Sequence, residues 1–316
     1  MPPHLLLRLV SACFLAALCA PAGATAAPVA GAKKVLLIAG LPSHPPGAHE
    51  HNAGVLLLQK CLAGVEGLET EVALNGWPKQ AETAFDGVDA VIIYCDGGVR
   101  HLATQNGHLD ELGAVLGKGA GLGLLHYAVE PAKERGQQEF LQWIGGAFEI
   151  HWSVNPHWDA SFEELPSHPI TRGVEPFTLR DEWYFNMRFV EGMKGITPIL
   201  VATPDASTMT RPDGTHSGNP HAREAVKRGE RQILAWACER PDGKGRGFGF
   251  TGAHFHENWG NDDFRKIVLN SILWLAHMEV PAGGVQSSVT PADLKANLDP
   301  VDPATGKKVD PRMSAQ

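Results

Sequence analysis

The sequence predicts an α/β fold, a mostly parallel sheet covered by helices on both faces. Two observations predict it. Short apolar, β-branched runs recur, and between them lie stretches whose apolar residues repeat at helical spacing. The strand-like runs are apolar almost throughout, as strands buried on both faces are. Strands alternating with helices at this spacing imply crossover connections and hence parallel pairing.

The first run is KKVLLIAG (33–40), which stops at a glycine. A histidine-rich loop follows, and AGVLLLQKCLAGV (53–65) reads as a helix. TEVALN (70–75) is a second strand, and VDAVIIYCDGG (88–98) is a third with a glycine stop. HLDELGAVLGKG (108–119) is a helix ended by glycine. GAGLGLLHYAV (119–129) is a fourth strand running into a turn, and EFLQWIGGAF (139–148) is a helix. The second half is less regular. HWSVNPHWDASF (151–162), DEWYFNMRF (181–189) and TPILVAT (197–203) read as strands of an inserted or extended section. Residues 204–230 are polar and turn-rich, and read as a long surface loop. QILAWACE (232–239) and GRGFGFTGAHF (245–255) are late strands, and DFRKIVLNSILWLAHM (263–278) is a closing helix. After Val280 the chain is rich in Pro, Ala and Asp, so residues 281–316 are expected to form a poorly ordered tail.

Residues 1–26 are expected to be a signal peptide rather than part of the fold. Arg8 precedes the apolar run LVSACFLAALCA (9–20), and PAGATAA offers small-residue cleavage sites after Ala24 or Ala26. The run is too short to span a bilayer as a mature helix. The expected product is a periplasmic or secreted α/β domain over residues 33–280, with no membrane span. Val10-Ser11-Ala12-Cys13 has the look of a lipoprotein box, but too little apolar sequence precedes it. Cleavage would leave Cys61, Cys95 and Cys238, an odd number without CxxC spacing. That argues against a disulfide scaffold and a thiolate zinc site. A net charge of −8 without a long Lys/Arg run argues against a nucleic-acid partner.

Fifteen histidines are many for 316 residues, and they matter because they cluster. In an open parallel sheet, ligands bind beyond the carboxyl ends of the strands. His44, His49 and His51 follow the first strand. Cys95 and Asp96 follow the third, His126 and Tyr127 end the fourth, and His254, His256 and Glu257 end the last. Neutral imidazole is a common ligand of borderline metals, and a catalytic site needs about three protein ligands. The candidates are His49 or His51, His126, and His254 or His256, with Glu182 or Asp181 as carboxylate. If 254–256 is a strand, His254 and His256 face the same way. Plainer readings exist. His126 is also read as a hydrogen-bonded strand end. His151 and His157, flanked by Trp152 and Trp158, are read as aromatic packing with polar tips. Gly123-Leu124-Leu125-His126-Tyr127-Ala128 has His where a nucleophile elbow would carry Cys or Ser, which excludes thioester chemistry there. No GxGxxG or GK[ST] phosphate loop is present.

GLGLLHYAVE (121–130), WIGGAFEIHWSVNPHW (143–158), SHPITRGVEPFTLRDEWYF (167–185) and GRGFGFTGAHFHENWGNDDFRKIVLNSILWLA (245–276) together resemble the trehalose-utilisation, or ThuA-like, family. The resemblance runs from about Lys33 to Val280. It implies a flavodoxin-like three-layer α/β/α fold similar to class I glutamine amidotransferases, without their catalytic Cys. It implies catabolism of disaccharides through sugars oxidised to a keto group at carbon 3. Carried to matching positions, it implies that His49, His51, His126, Glu182, His254 and His256 line the pocket.

The resulting expectation is a metal-assisted enzyme that acts by elimination or hydrolysis on a keto-sugar or glycoside. A non-catalytic carbohydrate-binding protein is the rival. Metal ligation is assigned to His49, His51, His126 and His254, for a divalent ion such as zinc, manganese or nickel. Acid–base work is assigned to His126, Glu182 and His256. Substrate contact is assigned to His44, Trp152, Trp183 and Tyr184, with Trp158 as a further sugar-facing ring.

Overall fold

The computed structural model describes residues 31–310. The expected signal peptide, residues 1–26, lies outside the described residues. The strands are β1 (Lys33–Ala39), β2 (Leu68–Ala73), β3 (Val88–Tyr94), β4 (Gly121–Leu125), β5 (Gly146–Ala147), β6 (Trp158–Phe162), β7 (Phe177–Asp181), β8 (Arg188–Phe189), β9 (Ile196–Ala202), β10 (Gln232–Glu239) and β11 (Arg246–Phe250). The helices are α1 (His51–Leu62), α2 (Ala81–Ala84), α3 (His108–Gly117), α4 (Gln137–Ile144), α5 (Pro220–Lys227) and α6 (Asp262–Leu275). A seven-stranded sheet runs in the order β2-β1-β3-β4-β11-β10-β9. Strands β2, β1, β3, β4 and β11 are parallel neighbours, and β10 runs antiparallel between β11 and β9.

Alternate side chains of β1 enter two separate cores. Val35, Leu37 and Ala39 pack with residues of α1 and α6, whereas Leu36 and Ile38 pack with residues of α3 and α4. Both faces of the sheet are therefore dry. This explains why its central strands read as continuous apolar runs. The arrangement is a three-layer α/β/α fold, as expected. The hairpin of β6 and β7 joins the α6 side through Trp158, Ala160 and Phe162.

Three expectations are corrected. The stretch 151–162 becomes strand only from Trp158, and 181–189 is strand only at its two ends. The stretch 204–230 is not one loop. Asp205 caps a 3-10 turn at Ala206–Met209, and Asn219 caps α5 by accepting from the Ala222 amide, with Pro220 at the first helical position. Residues 281–310 are not a loose tail. Val285 is buried on the α6 core, and Asp299 and the Lys308 side chain are buried beside the histidine loop. Buried charge and polar contacts fix this segment where composition suggested disorder. No helix among the described residues is long and apolar enough to cross a membrane.

His101 shows how tightly the loops are held. Its ring donates from Nε2 to the Ala128 carbonyl (2.9 Å) and accepts the Ala103 amide at Nδ1 (3.1 Å). The residue is fully buried, and burial pushes its pKa down to about 4, against the opposing pull of the Ala128 carbonyl. The unfolded chain takes up this proton near pH 6.5 and the folded chain does not. Stability is thus present above about pH 6.5 and is lost as pH falls towards about 4, by about 3 kcal/mol for this group. We expect urea unfolding at about pH 5 and about pH 7.5 to show a smaller acid-induced loss in His101→Asn than in the wild type. Equal losses would contradict this account.

Candidate functional site

Four strand ends deliver the site. The loop after β1 supplies His49, the turn after β4 supplies His126, the segment after β11 supplies His254, and Glu182 follows β7. All four residues are buried. His49 Nε2 lies 3.0 Å from His126 Nε2 and 3.0 Å from His254 Nδ1. Glu182 Oε2 lies 3.1 Å from His254 Nδ1 and 3.4 Å from His126 Nε2. The four atoms lie within 4.8 Å of one another. Four ligands at roughly 2.0–2.1 Å from a shared ion would stand about 3.3 Å apart in tetrahedral array. The donor set fits a divalent ion.

The ring tautomers strengthen that fit. His126 Nδ1 lies 2.8 Å from the Thr251 carbonyl, which can only accept, so Nδ1 carries the hydrogen. His49 Nδ1 lies 3.0 Å from Asp96 Oδ1, again an acceptor. Both Nε2 atoms thus present lone pairs, and they present them to each other at 3.0 Å. Two nitrogens this close need a positive charge or a hydrogen between them, and a divalent ion is one group that can supply it. Burial pushes His49 well below the ordinary imidazole range, and the facing rings of His126, His51, His44 and His254 add to the effect. Burial opposes ionisation of Glu182, but the surrounding imidazoles of His126, His157 and His254 hold it well below the carboxylate range.

The family model for trehalose utilisation, ThuA, matches residues 41–275. The chain belongs to the ThuA family. The fold is shared with a ThuA-like protein from Bacteroides uniformis, at 15% identity and a TM-score of 0.55, over 80% of this chain and 95% of that one. A ThuA-like protein from Parabacteroides merdae aligns at 14% identity and a TM-score of 0.50, over 82% of this chain and 94% of that one. No curated protein matches the sequence.

In this ThuA chain the ligand-bearing backbone is strained and clamped. His49 (φ 49°), His126 (φ 55°) and Ala253 (φ 85°) occupy the left-handed region without being glycine. Such residues persist only where their surroundings over-determine them. Here Asp181 is the main clamp. Its fully buried carboxylate accepts the amides of Glu182 (2.7 Å), Ala253 (2.8 Å) and His254 (3.0 Å) and the Asn258 amide group (2.9 Å). One side chain thereby fixes two donors of the cluster. Tyr94 donates its hydroxyl to the Ala253 carbonyl from the other side. Asp96 orients His49 and is itself held by Ser43 Oγ (2.8 Å) and Arg100 (2.9 Å). A side chain at Gly97 would collide with the Tyr127 carbonyl at 2.3 Å, so glycine lets Asp96 sit against the β4 turn.

His256 does not join the cluster that its sequence position suggested. The strand β11 ends at Phe250 and His256 opens a 3-10 turn at His256–Gly260, so residues 254–256 are not strand and the period-two argument does not apply. The His256 ring is buried, neither nitrogen has a protein partner, and burial pushes its pKa to about 4 despite the charge of Glu50. His51 begins α1 and bonds the Leu41 carbonyl through Nδ1 (3.0 Å). Its Nε2 stands 3.9 Å from Asp96, behind the cluster rather than in it. Trp183 is fully buried among Phe162, Phe250 and Phe264, and Trp158 donates to the Trp183 carbonyl. Neither offers a sugar-facing ring. Trp152 is covered by the Arg188 guanidinium, 3.5 Å from its centroid. Tyr184 belongs to the cluster, with its hydroxyl 3.2 Å from His126 Nε2 and 3.3 Å from Glu182 Oε2.

His44 stacks on His49, with ring centroids 3.6 Å apart, and keeps an exposed edge. Residues the sequence reading passed over complete the rim. His157, read as packing, is 44% exposed and brings Nε2 to 3.6 Å from Glu182 Oε1. Asn155 donates to the same oxygen (3.0 Å) and is itself held by Arg211 (2.8 Å). His216, from the supposed surface loop, bonds the buried Glu130 at 3.0 Å. A cavity of about 690 Å³ opens beside this rim, lined by His157, His254, Phe255, Pro45, Leu294 and Leu298 among others.

The wild-type protein, exposed to zinc, manganese or nickel and then desalted, is expected to retain about one ion per chain by plasma mass spectrometry. His49→Ala, His126→Ala and His254→Ala should lose it while His256→Ala keeps it. Asp96→Ala should weaken metal affinity by about 10–100-fold, the usual effect of losing an outer partner of a metal-bound histidine. Metal retained by the three cluster variants would place the ion elsewhere.

Proposed function

We propose that this ThuA-family protein is a metal-assisted enzyme that cleaves a keto-sugar glycoside by elimination or hydrolysis. The observation that carries the reading is the pair of His49 and His126 lone pairs meeting at 3.0 Å inside a buried cluster completed by His254 and Glu182. A purely sugar-binding protein has no use for two opposed imidazole acceptors away from solvent. Three imidazoles and a carboxylate suit a borderline ion such as zinc, manganese or nickel better than calcium or magnesium. When bound, a divalent ion would supply a Lewis acid for a carbonyl oxygen.

The chain's own groups supply the rest. The cavity beside His157 and His254 is of the size that holds a disaccharide, roughly 300–1,000 Å³ for small-molecule sites. A carbonyl acidifies the adjacent C–H. His157, half-exposed at the cavity edge and backed by Glu182, takes that proton on a ring nitrogen. The electron pair left on carbon forms the double bond as the glycosidic C–O bond breaks; the departing oxygen takes up a proton from solvent, and His157, 44% exposed, returns its own to solvent. Tyr184 stays protonated, because burial and the adjacent Glu182 carboxylate raise its pKa well above the ordinary phenol value, so its hydroxyl keeps a hydrogen to orient the buried cluster. His44 presents the second accessible imidazole of the rim. Membership of a carbohydrate-utilisation family supports the substrate class. The apolar run at 9–20 with its small-residue cleavage sites supports export.

Turnover of a 3-keto-glycoside is expected to stop after chelation and to return when metal is restored. His157→Ala should lower kcat by about 10²–10⁴-fold, the range for a lost general base, with metal content unchanged. Tight sugar binding without turnover, indifferent to chelator, would instead establish a binding protein.

A further inference from the structure

The segment after α6 leaves the region matched by the family model, which ends at residue 275, and returns to the histidine loop. A bridge between Val301 and Lys308 closes a short turn, with the Asp302 amide bonded to the Lys307 carbonyl at 2.9 Å. The turn presents Lys308, whose side chain is only 2% exposed. Its ammonium donates to the backbone carbonyls of Ala48 (2.6 Å) and His49 (3.1 Å). It also pairs with Glu50 Oε1 (3.0 Å) and Asp299 Oδ2 (3.1 Å). Glu50 in turn accepts the Gly47 amide (2.8 Å) and the Asp299 amide (2.8 Å). Glu50 stands at the start of α1 yet makes no side-chain cap there; its carboxylate is committed to this contact.

The loop so held contains His49, a non-glycine residue at φ 49° whose ring supplies the central nitrogen of the cluster. An ammonium has three hydrogens and no acceptor, so two backbone carbonyls and two carboxylates use all of its capacity. The His49 amide is held separately by the His254 carbonyl (3.0 Å). Freed of the Lys308 grip, the His49 carbonyl would regain its rotation, and the ring would lose its fixed place in the cluster.

We infer that the C-terminal segment 281–310 is a structural part of the metal site, and that Lys308 is a positioning residue that locks His49 as a ligand. This rests on the metal reading given above. The role is distinct from that of Asp96, which sets the tautomer of His49 from the ring side. Lys308 holds its backbone carbonyl.

Cobalt(II) is the probe, added to the full-length mature protein, because its visible absorption reports both occupancy and ligand geometry. Lys308→Met is expected to bind cobalt about 10–100-fold more weakly than the wild type and to give an altered absorption band. A loss of stability alone would leave the band of the folded, loaded protein unchanged. Lys308→Met also strands the Glu50 carboxylate. The charge-balanced Lys308→Met/Glu50→Gln variant therefore carries the same comparison if the single variant does not fold. Unchanged affinity and an unchanged band in the folded variant would overturn the inference while leaving the metal site standing. A wild type that takes up no cobalt would overturn the metal reading, and this inference with it.

Discussion

Two imidazole nitrogens without hydrogens, His49 Nε2 and His126 Nε2, face each other at 3.0 Å in a site closed to water on most sides. Their tautomers are fixed from behind by Asp96 and by the Thr251 carbonyl, so neither ring can relieve the contact by moving its proton. A positive charge shared by the two nitrogens relieves such a contact, and the donor set has room for a divalent ion in that role. His254 and Glu182 complete a donor set of the right size and charge. Much of what surrounds this contact serves to keep it from opening.

The scaffold does so at a conformational cost. Non-glycine residues in the left-handed region cost of order 1–3 kcal/mol each, and His49, His126 and Ala253 all lie there. Ala253 and His49 are each held by specific partners. The carboxylate of Asp181 gathers the amides of Ala253 and His254, the Tyr94 hydroxyl holds the Ala253 carbonyl, and the Lys308 ammonium holds the carbonyls of Ala48 and His49. These clamps come from different elements, so the strain at the rim is balanced by the packing of the whole sheet. The dry cores on both faces make that sheet rigid enough to serve.

Asp181 also shows how adjacent carboxylates divide their work. Asp181 points into a cage of amides and does not reach the cluster, while Glu182 projects towards three imidazoles. Outside them, His44 and His157 retain contact with solvent and flank the buried donors. A buried set suited to holding an ion is therefore ringed by imidazoles suited to moving protons. This division was hidden in the sequence, where all of these histidines look alike.

The sequence by itself determined the layered fold, because continuous apolar strands alternating with helical periodicity have few other solutions. It determined that the histidines gather at one sheet edge, because they follow successive strand ends, and the family motifs carried the same information. Local rules failed where backbone conformation departs from regular structure. Nothing in GAHFHEN announces that the strand has ended at Phe250 and that His256 opens a 3-10 turn, and nothing in a Pro- and Asp-rich terminus announces a buried Lys308. The Trp-flanked segments misled for a related reason: aromatic residues suit a sugar face and a core equally well, and burial alone separates Trp183 from a binding surface. Which imidazole faces which, and with what tautomer, was decided only by tertiary structure, because those properties depend on groups from distant segments meeting within hydrogen-bond distance.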